Sequence, residues 1–312
     1  MPPVIQALLP LVLLATAGGL WARVFAEADN TRLRLGINQL VLHLFVPALL
    51  FAAAAGARLQ PALLVIPVAL ALAMLALTAL LYGVFYHGPR CCTALPRPTR
   101  AALLLAAVWG NVFFIGYPLS TGLYGPQAGA YAAFADLLAS SPLLWTLGVW
   151  LAVRLGGVPG EAAPPWWRTL LGLPPVWGFM AGVACNLLGW NTPAVLETAR
   201  FIGQPAIPLM LFVLGLAIPW RQLRPGAAIL AGAAAKLLLA PLFALGALAL
   251  LPPVEIPIRE AAVLMAAMPT MLFALVMADR FRLDIEAAAG LLAWSTLLSV
   301  LTLPAWLFLL RG

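Results

Sequence analysis

Long apolar stretches follow one another along almost the whole chain, and short connections rich in arginine, proline and glycine separate them. A helix needs about 20 apolar residues to cross a bilayer. By that measure the pattern predicts ten membrane spans, numbered 1 to 10 in chain order. Their predicted ranges are 4–22, 35–55, 61–87, 101–124, 127–153, 169–190, 194–218, 226–251, 259–281 and 284–310. The predicted fold class is therefore an all-α membrane protein.

Composition agrees with this pattern and excludes a soluble domain. Hydrophobic residues make up 64% and charged residues 9% of the 312 residues. Soluble domains carry about 25% charged residues, so this chain has too few polar side chains to cover a water-facing surface. The formal net charge of +7 comes from arginines scattered through the connections, which is the distribution of a membrane protein. We therefore expect lipid around the protein and no nucleic-acid partner.

The basic residues are distributed unevenly between the two sides of the predicted bundle. One set of alternate connections carries twelve arginines, which are Arg23, Arg32, Arg34, Arg90, Arg97, Arg100, Arg154, Arg168, Arg221, Arg224, Arg280 and Arg282. The opposite set carries four, which are Arg58, Arg200, Arg259 and Arg311. Because basic loops face the cytoplasm, the larger set is predicted to be cytoplasmic and both termini are predicted to lie outside.

The two halves of the chain share a pattern at a separation of about 160 residues. Residues 47–51 read PALLF and residues 208–212 read PLMLF, while the openings of spans 4 and 9 read AALLLAA and AAVLMAA. Five spans per half is an odd number, so the second half enters the membrane from the opposite side. This predicts an inverted repeat of residues 1–153 and 154–312, with a binding site near the midplane where the halves meet.

Spans 4 and 9 carry residues that interrupt a helix near their middle. These are Gly110, Asn111, Gly116 and Pro118 in span 4 and Met268, Pro269 and Thr270 in span 9. Glycine weakens a helix, proline removes a backbone donor, and irregular backbone inside a membrane survives only where protein or water surrounds it. The two spans are predicted to be broken and to cross at mid-depth, where half-helix N-termini suit an anion. A simple kink at each proline is the alternative.

Two ionisable residues lie deep in the predicted spans, Asp136 in span 5 and Lys236 in span 8. A charge at that depth costs about 2.5–3.5 kcal/mol, so we expect the two side chains to pair, to line water, or both. In the functional interpretation they take and release a proton, and in the structural one they only join helices. Ser140 lies one helical turn from Asp136 and is predicted to hydrogen bond with it.

The remaining polar residues give no sign of a metal site, a cofactor or a catalytic group. The chain has two histidines, His43 and His87, no HExxH motif and no pair of deep carboxylates. An intramembrane enzyme would need paired carboxylates, a His/Glu metal motif or a Ser/His pair at one depth. We therefore expect the protein not to be an enzyme. His43 lies four residues before Pro47 and is predicted to face the substrate cavity.

These residues resemble the auxin efflux carrier family, including its bacterial members. The resemblance rests on Gly110-Asn111 through Gly116–Leu119, with Tyr124-Gly125 and Asp136, and on Met268-Pro269 followed by Ala278–Phe281. Gly203-Gln204 with Pro208 and Gly215 in span 7 also match. The similarity runs along nearly the whole chain.

The resemblance implies two inverted five-helix repeats in a fold similar to that of bile acid/sodium symporters and sodium/proton antiporters. It implies a scaffold of spans 1, 2, 6 and 7 (about 4–55 and 169–218) and a transport domain of spans 3–5 and 8–10 (about 61–153 and 226–310). A homodimer through the scaffold is implied as well.

The function implied is secondary transport of a small organic anion, such as auxin, malate or malonate, by alternating access in a bacterial inner membrane. The apolar run Met271–Phe273 and the aromatic side chains near Asn111 favour a monocarboxylate with apolar bulk. The coupling ion is predicted to be a proton, and the alternatives are a sodium-coupled symporter and a cation/proton antiporter. In the antiporters an aspartate and a lysine pair at positions that match Asp136 and Lys236.

The expected site therefore has two parts. The substrate-binding residues are predicted to be Gly110, Asn111, Phe114, Gly116, Pro118, Met268, Pro269, Thr270 and His43. The residues predicted to take part in coupling are Asp136, Lys236 and Ser140.

Overall fold

The computed structural model describes residues 3–25, 29–156, 165–218 and 225–311. Within these ranges the regular structure is helical, and two short helices, Arg90–Thr93 and Trp166–Leu171, lie in connections. The twelve longer helices are α1 (Pro3–Val24), α2 (Asn30–Ala55), α3 (Pro61–His87), α4 (Arg97–Val108), α5 (Gly116–Tyr124), α6 (Pro126–Leu155), α7 (Pro174–Leu187), α8 (Pro193–Ala217), α9 (Ala227–Leu248), α10 (Ile256–Ala266), α11 (Phe273–Arg280) and α12 (Ile285–Arg311).

Six of these helices, α2, α3, α6, α8, α9 and α12, are long and apolar enough to cross a membrane by length and composition. They coincide with predicted spans 2, 3, 5, 7, 8 and 10, and the predicted class of all-α membrane protein is confirmed. Helix α7, at 14 residues, is shorter than a full span, and α1 has an apolar segment at Leu9–Val24. The count of ten spans stays a prediction. Of the arginines used for the orientation, Arg221 and Arg224 lie outside the described residues.

The helical structure is interrupted within predicted spans 4 and 9. Helices α4 and α5 are separated by residues 109–115, and helices α10 and α11 by residues 267–272. Pro269 lies inside the second interruption, as the sequence predicts. Pro118 has a different position from the one expected, because it is the third residue of α5. A proline in the first turn of a helix loses no hydrogen bond, so Pro118 helps to start α5 and does not break it.

The helices of the predicted scaffold pack in two pairs, α1 against α8 and α2 against α7. The first pair approaches closely, since a Cβ atom added at Gly18 would clash with the carbonyl oxygen of Phe212. Helix α8 also packs against α2. Of the interrupted helices, α5 packs mainly against α1 and α6, whereas α4, α10 and α11 pack among α3, α6, α9 and α12. Under the predicted repeat, span 1 corresponds to span 6 and span 7 corresponds to span 2. The pair α1–α8 (spans 1 and 7) therefore corresponds to the pair α7–α2 (spans 6 and 2).

Asn186 on α7 closes the C-terminal end of α2. Its side-chain amide donates to the carbonyl oxygens of Ala54, Ala55 and Ala57 at 3.0, 2.8 and 2.8 Å. The last carbonyls of a helix have no donor within the helix. The side-chain amide of Asn191 also donates to Ala55, at 3.1 Å, so two side-chain amides satisfy this end, and Asn186 joins α2 to α7.

We predict that Asn186→Leu lowers the free energy of unfolding by about 1–3 kcal/mol, because buried carbonyl oxygens lose their donor. The measurement is the melting temperature of the detergent-purified protein. Thr198→Val is the matched control, since the Thr198 hydroxyl donates only to Ala194 within its own exposed turn. Equal melting temperatures for the two variants would contradict the assignment.

Candidate functional site

The two interruptions meet and pair with each other, forming what we call the crossing (residues 109–115 and 267–272). Gly110 and Thr270 form an antiparallel bridge. The amide of Asn111 donates to the carbonyl oxygen of Pro269 at 2.6 Å, and the amide of Met271 donates to that of Trp109 at 3.0 Å. Each broken segment thus supplies acceptors for the backbone of the other.

Glycine is required at the centre of the crossing. A Cβ atom at Gly110 would lie 2.9 Å from the Nζ of Lys236 and 2.9 Å from the carbonyl oxygen of Met268. At Gly116, the first residue of α5, a Cβ atom would lie 2.7 Å from the sulfur of Met265 on α10. Both predicted glycines therefore allow close approach, the first of a lysine and the second of a neighbouring helix.

Lys236 lies against the C-terminal ends of both inner helices at once. Its Nζ donates to the carbonyl oxygen of Val108, the last residue of α4, at 3.1 Å, and to that of Ala266, the last residue of α10, at 3.3 Å. The residue is 1% exposed. The C-terminal end of a helix carries partial negative charge. The ammonium group therefore neutralises two such ends together.

The N-terminal ends of α5 and α11 carry backbone amides without acceptors. The amides of Phe113 and Phe114, before α5, and of Leu272 and Phe273, at the start of α11, donate no hydrogen bond within the described part of the chain. The side-chain amide of Asn111 also has no hydrogen-bond partner there, although the residue is only 5% exposed. These donors lie where each chain segment leaves the crossing and enters α5 or α11.

Thr270 is engaged within the protein. Its hydroxyl donates to the carbonyl oxygen of Ala106 on α4 at 2.7 Å, and its amide donates to the hydroxyl of Ser295 on α12 at 3.0 Å. The residue is fully buried. In this structure Thr270 therefore joins the crossing to α4 and α12, and its partner Ser295 could not be identified from the sequence.

Asp136 lies in a π-helical segment of α6, Asp136–Ser140. Its carboxylate accepts a hydrogen bond from Ser141 at 3.2 Å. The predicted hydrogen bond from Ser140 is wrong, because a π turn places the fifth residue, not the fourth, over the first. The Ser140 hydroxyl is buried without a partner, while its carbonyl oxygen accepts from the indole of Trp109 at 3.1 Å. Helix α6 is thereby attached to the crossing.

The predicted pairing of Asp136 with Lys236 is not observed. The lysine lies in its own π-helical segment, Ala235–Leu239, and points to backbone carbonyls. The salt bridges of the described residues are Arg32–Asp29 and Arg311–Glu260. The other arrangement expected from the sequence, that the two side chains line water, stays a prediction. π-helical turns recur at functional sites, and both residues occupy one.

The structure does not bring His43 to the crossing. The residue is exposed and lies in the π-helical segment Val41–Phe45 of α2, which packs against α7 and α8. The Nδ1 atom of His43 hydrogen bonds with the carbonyl oxygen of Gln39 at 2.8 Å, within the same helix. Its neighbours Leu42 and Leu44 are exposed as well, so this face of α2 points away from the fold.

Aromatic side chains surround the unpaired amides. Phe114 is half-buried and meets Phe113 edge to face at 5.5 Å, and Phe273 meets Trp145 at 5.3 Å. Met268 is fully buried beneath Gly110. Trp145 and Trp109 were not selected from the sequence, since nothing in their spacing shows which way they point.

A group of three or more metal-binding side chains does not occur among the residues that the structure describes. The arrangement at the crossing offers hydrogen-bond donors and one buried cation. Unpaired backbone amides of this kind are suited to a hydrogen-bond acceptor such as an anionic group.

We predict that Gly110→Ala lowers the melting temperature by about 5 °C or more, since forcing a methyl group into a packed site costs about 1–3 kcal/mol. Gly83→Ala is the control, because a Cβ atom there meets nothing within 4 Å. Thermal unfolding of both purified variants in detergent measures the difference. A Gly110→Ala protein as stable as the control would show that Lys236 does not approach this closely.

Comparison with known proteins places this geometry in a family. A family model described as membrane transport protein matches residues 3–157 and 162–307. An uncharacterized transporter of Methanothermobacter thermautotrophicus is 28% identical over 288 residues, which cover 91% of this chain and 90% of that protein. An uncharacterized transporter of Methanocaldococcus jannaschii is 23% identical over 305 residues, which cover 95% and 96%. The chain therefore belongs to the membrane transport protein family, which is the auxin efflux carrier family that its sequence resembles.

Proposed function

We propose that this transporter carries a small organic anion across the membrane by alternating access, and that the anion binds at the crossing. The observation that carries the proposal is the position of Lys236 on the C-terminal ends of α4 and α10. The N-terminal ends of the other two half-helices, α5 and α11, keep unpaired amides.

The charge at the crossing supports one negative group. A helix end carries the equivalent of roughly half an elementary charge, negative at the C-terminus and positive at the N-terminus. Two C-terminal ends together amount to roughly one negative charge, which the ammonium of Lys236 offsets. The two N-terminal ends then leave roughly one positive charge unbalanced, which matches a single carboxylate.

The surroundings favour a monocarboxylate with apolar bulk. The Asn111 side chain and the free amides can donate to carboxylate oxygens, and Phe114 and Phe273 provide an apolar wall beside them. The helix ends leave roughly one positive charge unbalanced, so a second carboxylate would have no counter-charge from them. Auxin is therefore a better chemical fit than malate or malonate.

Alternating access would come from movement between two units. The pairs α1–α8 and α2–α7 form the proposed scaffold, while α3–α6 and α9–α12 form the proposed transport domain around the crossing. This division supports ten spans in two inverted repeats. We further propose a homodimer through the scaffold, and a bacterial inner membrane with both termini outside.

A proton is the proposed coupling ion. Asp136 is the acidic residue of α6, and a sodium site usually gathers several oxygen ligands. A group of acidic side chains suited to a cation is absent from the described residues. The substrate itself is expected to leave the protein chemically unchanged.

Uptake of radiolabelled auxin and malate into proteoliposomes tests the substrate proposal. Asn111→Ala should raise KM for auxin roughly ten- to hundredfold, the effect of losing one hydrogen bond to a charged group. Gln127→Ala, which changes an exposed amide in the first turn of α6, should transport like wild type. Transport of malate but not auxin would contradict the monocarboxylate proposal, and an unchanged KM in Asn111→Ala would contradict the crossing as the site.

Proton coupling is tested with Asp136→Asn. We expect an imposed pH gradient to drive accumulation by the wild type and not by this variant, because the amide cannot take up a proton. Asp279→Asn, at an exposed helix end, should respond like wild type. Accumulation that follows a sodium gradient at constant pH would instead support a sodium-coupled symporter.

A further inference from the structure

Glu260 on α10 is a buried carboxylate with three donors, and the proposed transport mechanism does not use it. The residue is 2% exposed. Its Oε2 atom accepts from the hydroxyl of Tyr124 at 2.6 Å and from the Nη2 of Arg311 at 2.9 Å. The Nε of Arg311 lies 3.1 Å from both carboxylate oxygens. Charge-assisted bonds of this kind are among the strongest in proteins.

Two of the three side chains lie at helix ends far from the crossing, and Glu260 lies in the middle of its helix. Tyr124 is the last residue of α5 and Arg311 the last of α12, and Glu260 lies about 9 Å along α10 from the crossing, at about 1.5 Å per residue. Helix α5 follows the first segment of the crossing along the chain, and helix α10 ends at the second. The contact therefore joins the two half-helices that lie on one side of the crossing.

A second contact lies beside the other two half-helices, α4 and α11. The hydroxyl of Thr99, in the first turn of α4, donates to Oδ2 of Asp284 at 2.7 Å. Asp284 follows α11 and accepts the amide of Ala287 in the first turn of α12 through Oδ1. The start of α4 is thereby joined to the connection between α11 and α12.

The two contacts occupy equivalent positions in the two halves of the chain. At the separation of about 160 residues seen in the sequence, Tyr124 corresponds to Asp284, and Glu260 corresponds to Arg100, which is next to Thr99. In the first contact the carboxylate is Glu260 on α10, the half-helix that ends at the crossing. In the second the carboxylate is Asp284, which follows α11, and the hydroxyl of Thr99 lies on α4. The two contacts thus have equivalent places in the fold but use different side chains.

We propose that these contacts are two latches, the Glu260 latch (Tyr124, Glu260 and Arg311) and the Asp284 latch (Thr99 and Asp284). They hold both broken segments as one rigid unit while the transport domain moves. Tyr124, Glu260, Thr99 and Asp284 are thus positioning residues for the substrate site. This inference rests on the proposed function for its role in transport, but the rigidity itself can be measured separately.

Short half-helices need such a restraint. Helix α5 has nine residues and α10 has eleven, and helices shorter than about 12–15 residues are marginal alone. At their inner ends, few backbone hydrogen bonds hold them. Apolar packing tolerates sliding, whereas three hydrogen bonds to one carboxylate fix both distance and direction. Burying the charge of Glu260 costs free energy, but its hydrogen bonds hold α5 and α10 in a defined relative position.

Hydrogen exchange tests the rigidity without any transport assay. Tyr124→Phe and Thr99→Val should each accelerate exchange of the Asn111 and Met271 amides roughly three- to tenfold, because local opening near the crossing becomes easier. The matched controls are Tyr131→Phe, whose ring lies 6.1 Å from that of Tyr124, and Thr78→Val, whose hydroxyl bonds only within α3. Exchange rates equal to those of the controls would overturn the proposal.

Cross-linking tests the role in transport. Cys91, Cys92 and Cys185 are free thiols and are first replaced by serine. The pairs Tyr124→Cys with Glu260→Cys and Thr99→Cys with Asp284→Cys remove each latch, and a short bifunctional thiol reagent then restores a link between the same positions.

We expect each reduced pair to show a raised KM and the cross-linked protein to recover it. A cross-link that blocks transport, or that leaves the raised KM unchanged, would overturn the latches. If the wild type itself transports no organic anion, the proposed function fails, and the exchange experiment still decides whether the latches hold the crossing.

Discussion

The hydrogen bonds from Lys236 to two helix ends are the interaction on which the crossing depends. Breaking two helices inside a membrane leaves carbonyl and amide groups without partners, and each such group costs several kcal/mol in lipid. The pairing of residues 109–111 with 269–271 satisfies some of them. The carbonyl oxygens of Val108 and Ala266 are left, and one ammonium group meets both. An apolar residue at position 236 would leave the ends of α4 and α10 with their charge uncompensated.

That arrangement also gives the crossing a direction. The C-terminal ends are covered by a buried cation, while the N-terminal ends of α5 and α11 keep free amides beside half-buried aromatic rings. Stability and the proposed recognition thus use different half-helices, the C-terminal ends of α4 and α10 for the first and the N-terminal ends of α5 and α11 for the second. Glycine at position 110 is part of both, because any side chain there would displace the lysine.

The interruptions could be predicted because their causes are local. Glycine, asparagine and proline disfavour a continuous helix wherever they occur, so the sequence around Asn111 and Pro269 was sufficient. The partners could not be predicted. Lys236 binds backbone carbonyls, which every residue possesses, and so the membrane depth that it was predicted to share with Asp136 did not indicate its partner. The choice of Ser141 over Ser140 follows from a π turn, since positions counted at 3.6 residues per turn shift by one across it. The exposed position of His43, also in a π turn, was not visible in the sequence either.

The π-helical segment of α6 links the two functions that the site is proposed to combine. Its first residue is Asp136, and the carbonyl oxygen of its last, Ser140, accepts the indole N–H of Trp109. The backbone of Trp109 in turn accepts the amide of Met271. A change of charge at Asp136 that altered the π turn would therefore move a residue adjacent to Gly110 and Asn111. Coupling between two sites requires an element with two arrangements that both sites influence. The π turn carries Asp136 and is hydrogen-bonded, through Trp109, to the segment with Gly110 and Asn111, so it is the element through which the proposed proton carrier and the proposed anion site would be coupled.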